Sequence, residues 1–139
     1  MYTEDILKIN NIQIPNFFKD YCNHILPKDM MAFEFNHLIE KIFFTKRNLT
    51  FYENKDFQIL KDDIVFDCGG NMGLFAAAIA HRCKQIYSFE PMSLIRKNLY
   101  KTALLYNNIV VIPVGLWKEN KIVTFWQKDN PGASRAIKY

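Results

Sequence analysis

Hydrophobic positions in the second half of the chain form short runs that alternate between strand and helix spacing. Continuous apolar runs at 64–68, 85–89 and 109–114 are typical of buried parallel strands. Between them, the Ala-rich stretch 72–83 and the amphipathic stretch 94–106 favour helices. Strand–helix–strand–helix–strand predicts an α/β fold, with these strands in the spatial order 3-2-1 of the first half of a doubly wound, mostly parallel sheet.

Three shorter strands are predicted around this unit, because apolar runs there are bounded by polar, turn-like clusters. They span 49–52 and 57–60 before the first buried strand and 122–126 after the third. We therefore assign 49–139 to a partial Rossmann-like domain.

Residues 1–48 differ in composition from the rest of the chain and predict a helical N-terminal extension. They are rich in Asn, Lys and Phe, and Pro15 and Pro27 punctuate two helix-like segments at 16–25 and 31–44. Apolar residues recur at helical spacing in the second segment, so we expect one of its faces to pack on the main domain.

Length, composition and net charge exclude some classes of protein but do not identify the function. The chain has 139 residues, which is one domain at most, and 50% hydrophobic residues are enough for a core. The net charge of +4 is scattered along the chain, so no nucleic-acid partner is predicted. Neither a basic, apolar leader nor an apolar run of membrane-spanning length is seen, so we expect a cytoplasmic protein without membrane contact.

The three cysteines argue for reduced thiols and no metal site. Their number is odd and no C-x-x-C pair occurs, which speaks against both a disulfide framework and a zinc knuckle.

The richest chemical signal is a glycine-rich turn between the first buried strand and its helix, followed by an acid at the end of the next strand. The turn carries Gly69, Gly70, Asn71 and Gly73, and Glu90 follows about twenty residues later. Small turn residues let a ligand approach the backbone, and a carboxylate at the second strand end suits the two hydroxyls of a ribose. The alternative role for this glutamate is to stabilise the start of the next helix.

The spacing of the glycines decides between nucleoside cofactors. A dinucleotide fingerprint needs glycine at the first, third and sixth positions, which here hold Gly69, Asn71 and Leu74. No Gly-Lys-Ser/Thr follows, so a phosphate-binding loop is also absent. The loop instead suits a ligand without a pyrophosphate, and S-adenosylmethionine is the cofactor we predict.

Two further residues are candidate contacts for that cofactor. Asp67 ends the first buried strand, where it orients the loop or holds the ammonium group of the ligand; its alternative role is to cap nearby backbone N–H groups. Gly115 follows the third strand, at the edge where an adenine ring lies in this fold, although a tight bend alone would explain it.

Taken together, these motifs resemble the FkbM-type S-adenosylmethionine-dependent methyltransferases. The resemblance covers 49–134 and rests on 63–73, 87–91, 110–116 and Gly132-Ala133-Ser134. It implies a class I methyltransferase fold, O-methylation of a sugar or natural-product hydroxyl, and a small-molecule or glycan acceptor. It also implies that Asp67, Gly69, Asn71 and Gly73 form the cofactor loop and that Glu90 binds the ribose. Gly70 stands where the family often has alanine. No catalytic residue is predicted.

The same resemblance predicts an incomplete enzyme. In the family another central strand with a Lys-x-Asp-x-Glu-Gly-type motif follows, and this chain ends at Tyr139 before it. We therefore expect strand 64–68 to lie at an open edge, to be covered by the missing half, the N-terminal helices or a homodimer partner. The alternative to an enzyme is a non-catalytic remnant or cofactor-binding module that needs a partner chain.

Overall fold

The computed structural model describes residues 6–9, 12–15, 53, 56–126 and 135–136. The elements are, in chain order, β1 (Ile6–Ile9), β2 (Ile12–Pro15), β3 (Ile64–Cys68), α1 (Leu74–Ile79) continued by a 3-10 turn (Ala80–Arg82), β4 (Gln85–Phe89), α2 (Ser93–Ala103), β5 (Ile109–Ile112), β6 (Phe125–Trp126) and β7 (Arg135–Ala136).

The central layer is a three-stranded parallel sheet in the order β3-β4-β5. This order, with α1 and α2 as the crossover helices, confirms the predicted α/β class and the predicted strand order. β3 and β4 have the predicted bounds, whereas β5 ends two residues early. Pro113 has no N–H to continue the ladder, and the Val114 N–H donates back to the Ile112 carbonyl at 2.9 Å.

The helices cover one face of the sheet. Alternate residues share a face, so Val65 of β3 and Ile86 of β4, which are paired in register, both face this layer. Ala76 and Ile79 of α1 are fully buried and pack with Ile86 in one apolar cluster. The small alanine side chains of α1 let its backbone lie close to the sheet, which explains why this helix is buried nearly all round.

The opposite face of the sheet is aromatic and open within the described residues. Ile64 and Phe66 are 58% and 64% exposed. The Phe66 ring meets Tyr87 and Phe89 edge-on, with ring centroids 5.7 and 5.8 Å apart. β3 therefore differs from the predicted strand buried on both faces. In the described part of the chain, β3 pairs with β4 alone.

The described residues of the N-terminal extension form strands, which the sequence pattern did not predict. β1 and β2 pair antiparallel, and Ile14 of β2 is only 2% exposed. The Tyr106 hydroxyl accepts the Gln13 N–H at 2.9 Å and donates to the Gln13 carbonyl at 2.6 Å, which fixes this hairpin beside α2. The predicted helices 16–25 and 31–44, like the predicted strand 49–52, lie outside the described residues.

The predicted strand at 57–60 is wrong. Its backbone is irregular because side chains take the N–H groups that a neighbouring strand would bind. The Ile59 N–H donates to Glu53 Oε1 at 2.7 Å, and the Leu60 N–H donates to Asp63 Oδ2 at 2.8 Å. Glu53 is itself fixed by Arg82, whose guanidinium nitrogens reach both carboxylate oxygens at 2.6 and 2.8 Å.

The predicted strand at 122–126 is shorter than expected. It is reduced to β6, which pairs antiparallel with β7.

Gly73 permits close contact between the start of α1 and α2. Its φ of +84° lies in the left-handed region, and a Cβ placed there would lie 2.8 Å from Leu99 Cδ1 and 3.0 Å from Thr102 Cβ. The Thr102 hydroxyl completes this junction by donating to the Met72 carbonyl at 2.6 Å. Gly73 therefore serves packing as well as the turn.

We expect Gly73→Ala to destabilise the fold more than Gly69→Ala. Both glycines have positive φ, which costs an L-residue about 1–2 kcal/mol, but a Cβ added at Gly69 would meet open space. The clash at Gly73 should add about 1–3 kcal/mol. Urea unfolding of the two variants measures the difference, and equal losses would show that the α1–α2 junction relaxes freely.

Candidate functional site

The glycine loop folds over the carboxyl end of β4. The Gly69 and Gly70 N–H groups both donate to the Phe89 carbonyl at 2.9 Å. The Gly73 N–H then turns back to the Gly70 carbonyl at 2.8 Å, immediately before α1 begins. These three bonds place the loop at the carboxyl ends of the strands, where open parallel sheets bind their ligands.

Glu90 holds the next residue of the loop. Its carboxylate is buried, with 6% of the residue exposed, and Oε2 accepts the Asn71 N–H at 3.0 Å. Oε1 accepts the Met92 N–H at 2.8 Å, which ties the acid to the start of α2. Asn71 has a φ of +50°, in the left-handed region that asparagine adopts more readily than most residues other than glycine. The Glu90 carboxylate therefore stabilises the left-handed turn, a role beyond the predicted binding of ribose.

Asp67 is bound by a residue that sequence reasoning missed. Ser88, fully buried on β4 beside Asp67, donates its hydroxyl to Asp67 Oδ2. Burial raises the pKa of the Asp67 carboxyl, the Ser88 bond opposes that rise, and the nearby Glu90 charge adds to it. The sequence did carry a signal for this contact. Ser88 is a polar residue in an apolar strand, and it lies one residue before the strand end, as Asp67 does in β3.

Gly70 makes room for this pair. A Cβ at Gly70 would collide with Ser88 Oγ and would lie 3.1 Å from Asp67 Oδ2. Alanine at this position would therefore require Ser88 to move. The Ser88 side chain occupies the space that a Cβ at position 70 would need, so packing explains the glycine at this position.

A cleft of about 820 Å³ opens at the carboxyl ends of the strands. One wall holds Cys68, Gly69, Phe89 and Pro91, and the other is formed by residues 114–117 with the segment leading to β6. Gly115 faces Pro91, since a Cβ there would lie 3.4 Å from Pro91 Cγ, an ordinary contact. The cleft is large enough for a nucleoside ligand.

A second cavity, of about 800 Å³, follows β3 on its open side. Its lining includes Asp67, Gly69, Gly70 and Asn71 of the predicted set. Gly69 thus borders both cavities. Glu90 is absent from the described lining of either one.

The structure therefore gathers the predicted residues around one loop, except Gly115 on the opposite wall of the cleft, and gives them different surroundings. Gly69 and Gly115 line the cleft at the strand ends, whereas Asp67, Gly70 and Asn71 lie on the β3 side of the loop.

Arg96 is another residue that the sequence did not indicate. Its guanidinium donates to the carbonyls of Glu90 and Pro91 at 2.9 and 2.8 Å, which fixes the segment between β4 and α2. Its position on the polar side of an amphipathic helix gave no sign of this role.

The far wall of the cleft carries an exposed aromatic and an ion pair. The Lys121 ammonium lies 5.9 Å from the centroid of a Trp117 ring and 3.0 Å from Glu119 Oε1. These exposed contacts lie in the segment between β5 and β6, beside Gly115.

The described ranges contain neither a metal cluster nor a membrane-spanning helix. No group of three or more His, Cys, Asp or Glu side chains there is placed to hold a metal ion. None of the helices described has the length and apolar character needed to cross a bilayer.

Comparisons with known proteins give resemblance in fold only. No protein-family model and no curated protein matches the chain. Wild-type Trm5b from Pyrococcus abyssi is 18% identical, with a TM-score of 0.45 over 79% of this chain and 27% of that one. TYW2 from M. jannaschii, solved in complex with AdoMet, is 16% identical, with a TM-score of 0.45 over 82% of this chain and 46% of that one. The chain spans less than half the length of either protein.

We expect Asp67→Asn to alter how stability depends on pH. Since the pKa of Asp67 is raised above its ordinary 3.8, the folded state holds this proton more tightly than the unfolded state. Its contribution to stability is therefore greatest in acid and is lost as the pH rises through the folded-state pKa. Asn cannot ionise, so the stability of the variant relative to the wild type should increase between about pH 4 and pH 7.

Denaturant unfolding across this pH range checks the prediction, with the exposed Asp62→Asn as the control. A constant difference between Asp67→Asn and the wild type would show that Asp67 titrates alike in both states.

Proposed function

We propose that this chain supplies the S-adenosylmethionine site of a methyltransferase. The observation that carries the proposal is the glycine loop, which is folded onto the acid at the end of β4 and borders an open cleft of about 820 Å³. A doubly wound sheet binds nucleoside ligands at the carboxyl ends of its strands, and small residues there let the ligand reach the backbone.

Glu90 retains the capacity to bind a ribose. A carboxylate has about four acceptor positions, and backbone N–H groups occupy one on each oxygen here. Because Glu90 is buried behind the cleft wall of Phe89 and Pro91, we propose that its carboxylate turns toward the cleft when the ligand binds. That movement weakens the bond to the Asn71 N–H, so ribose binding and loop geometry are coupled.

The cleft suits the remaining parts of the cofactor. Pro91, Val114 and Leu116 offer apolar surface for an adenine ring, with Gly115 between the latter two. The Gly69 end of the cleft lies nearest the loop and is where the amino-acid part would lie. The residues present therefore fit the cofactor, provided that Glu90 turns.

The finer proposal is O-methylation of a sugar or natural-product hydroxyl, as in FkbM-type enzymes. It is supported by the motif resemblance. Gly69, Glu90 and the apolar cleft walls would hold the cofactor, which would supply an electrophilic methyl group for the acceptor oxygen. What this chain contributes is the positioning of the two reactants.

The alternative is a cofactor-binding module without its own activity. The observation that favours it is the small choice of proton acceptors in the cleft. Within the described residues, the titratable side chains that line it are Cys68, Glu119 and Lys121. Glu119 and Lys121 are paired with each other, so neither is poised to accept a proton from an acceptor hydroxyl. Under this alternative, a partner chain would provide the acceptor pocket.

We expect calorimetric titration of the chain with S-adenosylhomocysteine to show saturable binding. Glu90→Gln should weaken it by about tenfold or more, because a hydrogen bond to a charged group contributes about 1.5–3 kcal/mol. Asp62→Asn removes an exposed carboxylate away from the cleft and should bind like the wild type. A folded wild-type chain that shows no binding would contradict the proposal.

We also expect the Asn71 amide to report the turn of Glu90. In ¹⁵N-labelled protein its resonance should shift on titration, and its hydrogen exchange should become faster, since the Glu90 bond protecting it is weakened. Binding that leaves this amide unchanged would show that Glu90 does not turn. Radiolabelled S-adenosylmethionine with a panel of hydroxyl acceptors then separates an enzyme from a binding module.

A further inference from the structure

We propose that the open edge of β3 is a self-association surface, where a second copy of this chain adds its own β3 antiparallel to the first. The two parallel sheets then join edge to edge into one continuous sheet. This proposal rests on the backbone of β3, and its evidence does not depend on the proposed function.

The direction of the β3 hydrogen bonds shows which groups face outward. The Asp63 carbonyl accepts the Lys84 N–H at 3.0 Å, and the Gly69 N–H donates to Phe89 at 2.9 Å, so both residues face β4. Since backbone groups alternate along a strand, the N–H and carbonyl groups of Ile64, Phe66 and Cys68 face the other way. Within the described residues no strand lies on that side.

The edge lacks the features that usually prevent pairing. β3 contains no proline, lysine or bulge, and its one charged residue, Asp67, points to the helix-covered face. Ile64 and Phe66 are more than half exposed. A cavity of about 800 Å³ lies beside β3, and its lining includes Leu74 as well as Phe57 and Ile59 of the segment before β3.

Charge and register favour a second copy centred on Phe66. A twofold axis there pairs Phe66 with its counterpart and Ile64 with Cys68, so all outward-facing residues form hydrogen-bonded pairs. Val65 then lies opposite Asp67, so no like charges meet along β3. Registers centred one residue earlier or later would place Asp63 opposite Asp67, or Asp67 opposite itself, which is unfavourable. The phenylalanine pair adds an aromatic contact at the centre.

The register can be tested by disulfide formation. In this arrangement, an introduced thiol in Ile64→Cys lies opposite Cys68 of the other copy, at a Cα separation of about 5.5 Å that permits a disulfide. The same two positions within one strand are about 13 Å apart, so no bond forms inside a chain. With Cys22→Ser as background, we expect mild oxidation to give a covalent dimer, with the bond mapped by mass spectrometry between positions 64 and 68 of different chains.

Lys97→Cys on the exposed side of α2 is the matched control and should give at least tenfold less dimer under the same conditions. The Cys22→Ser parent should also stay uncrosslinked, since its two Cys68 thiols would be about 13 Å apart. Crosslinks of Ile64→Cys that map to other pairs, or equal dimer in the control, would overturn the proposed register.

Sedimentation of the untouched wild-type chain tests the association itself. We expect a monomer–dimer equilibrium, weakened at least tenfold by Phe66→Lys, which places two ammonium groups at the twofold axis. Tyr100→Lys, an exposed aromatic on α2, should leave it unchanged. A monomer at all concentrations would overturn the proposal. Hydrogen exchange of the Phe66 amide would then show what the edge does instead: slow exchange would mean that this chain covers it, and rapid exchange that it is open.

Discussion

The attachment of the glycine loop to the end of β4 is the constraint on which the site depends. Two loop amides share the Phe89 carbonyl, and a third binds the Glu90 carboxylate. Because β4 is the central strand of the described sheet, the loop is fixed to its best-supported element. The start of α1, the position of Asn71 and the near wall of the cleft all follow from these few bonds.

Under the proposed function, this attachment gives Glu90 two roles that compete. In the structure its oxygens stabilise a left-handed turn and the start of α2, whereas ligand binding would draw them toward the cleft. Burial raises the pKa of the nearby Asp67 carboxyl, and its serine partner fills the space that Gly70 leaves. Under that proposal, the turn of Glu90 has a free energy cost at the loop, so substitutions at Glu90 should be followed by amide measurements as well as by affinity.

Sequence patterns predicted β3, β4 and the loop because each has a strong local cause: a continuous apolar run or a cluster of small residues. They failed at 57–60, where Glu53 and Asp63 side chains replace a strand partner, a relation that periodicity does not encode. Strands β1 and β2 were missed because Tyr106, distant in sequence, fixes the hairpin. The candidate site was found as a set of residues, but its division between two cavities depends on three-dimensional packing.

β3 carries both Asp67 and the start of the glycine loop, yet among the described residues only β4 supports it. A strand bonded on one side opens more readily than one bonded on both, because fewer hydrogen bonds must break. Whatever pairs with the open edge therefore also restricts the motion of Asp67 and Gly69. If a second copy pairs there and the cofactor contacts Gly69 as proposed, association and cofactor binding should favour each other, since both act on the same strand end. Thermodynamic reciprocity requires the cofactor to strengthen association by the same factor as association strengthens cofactor binding.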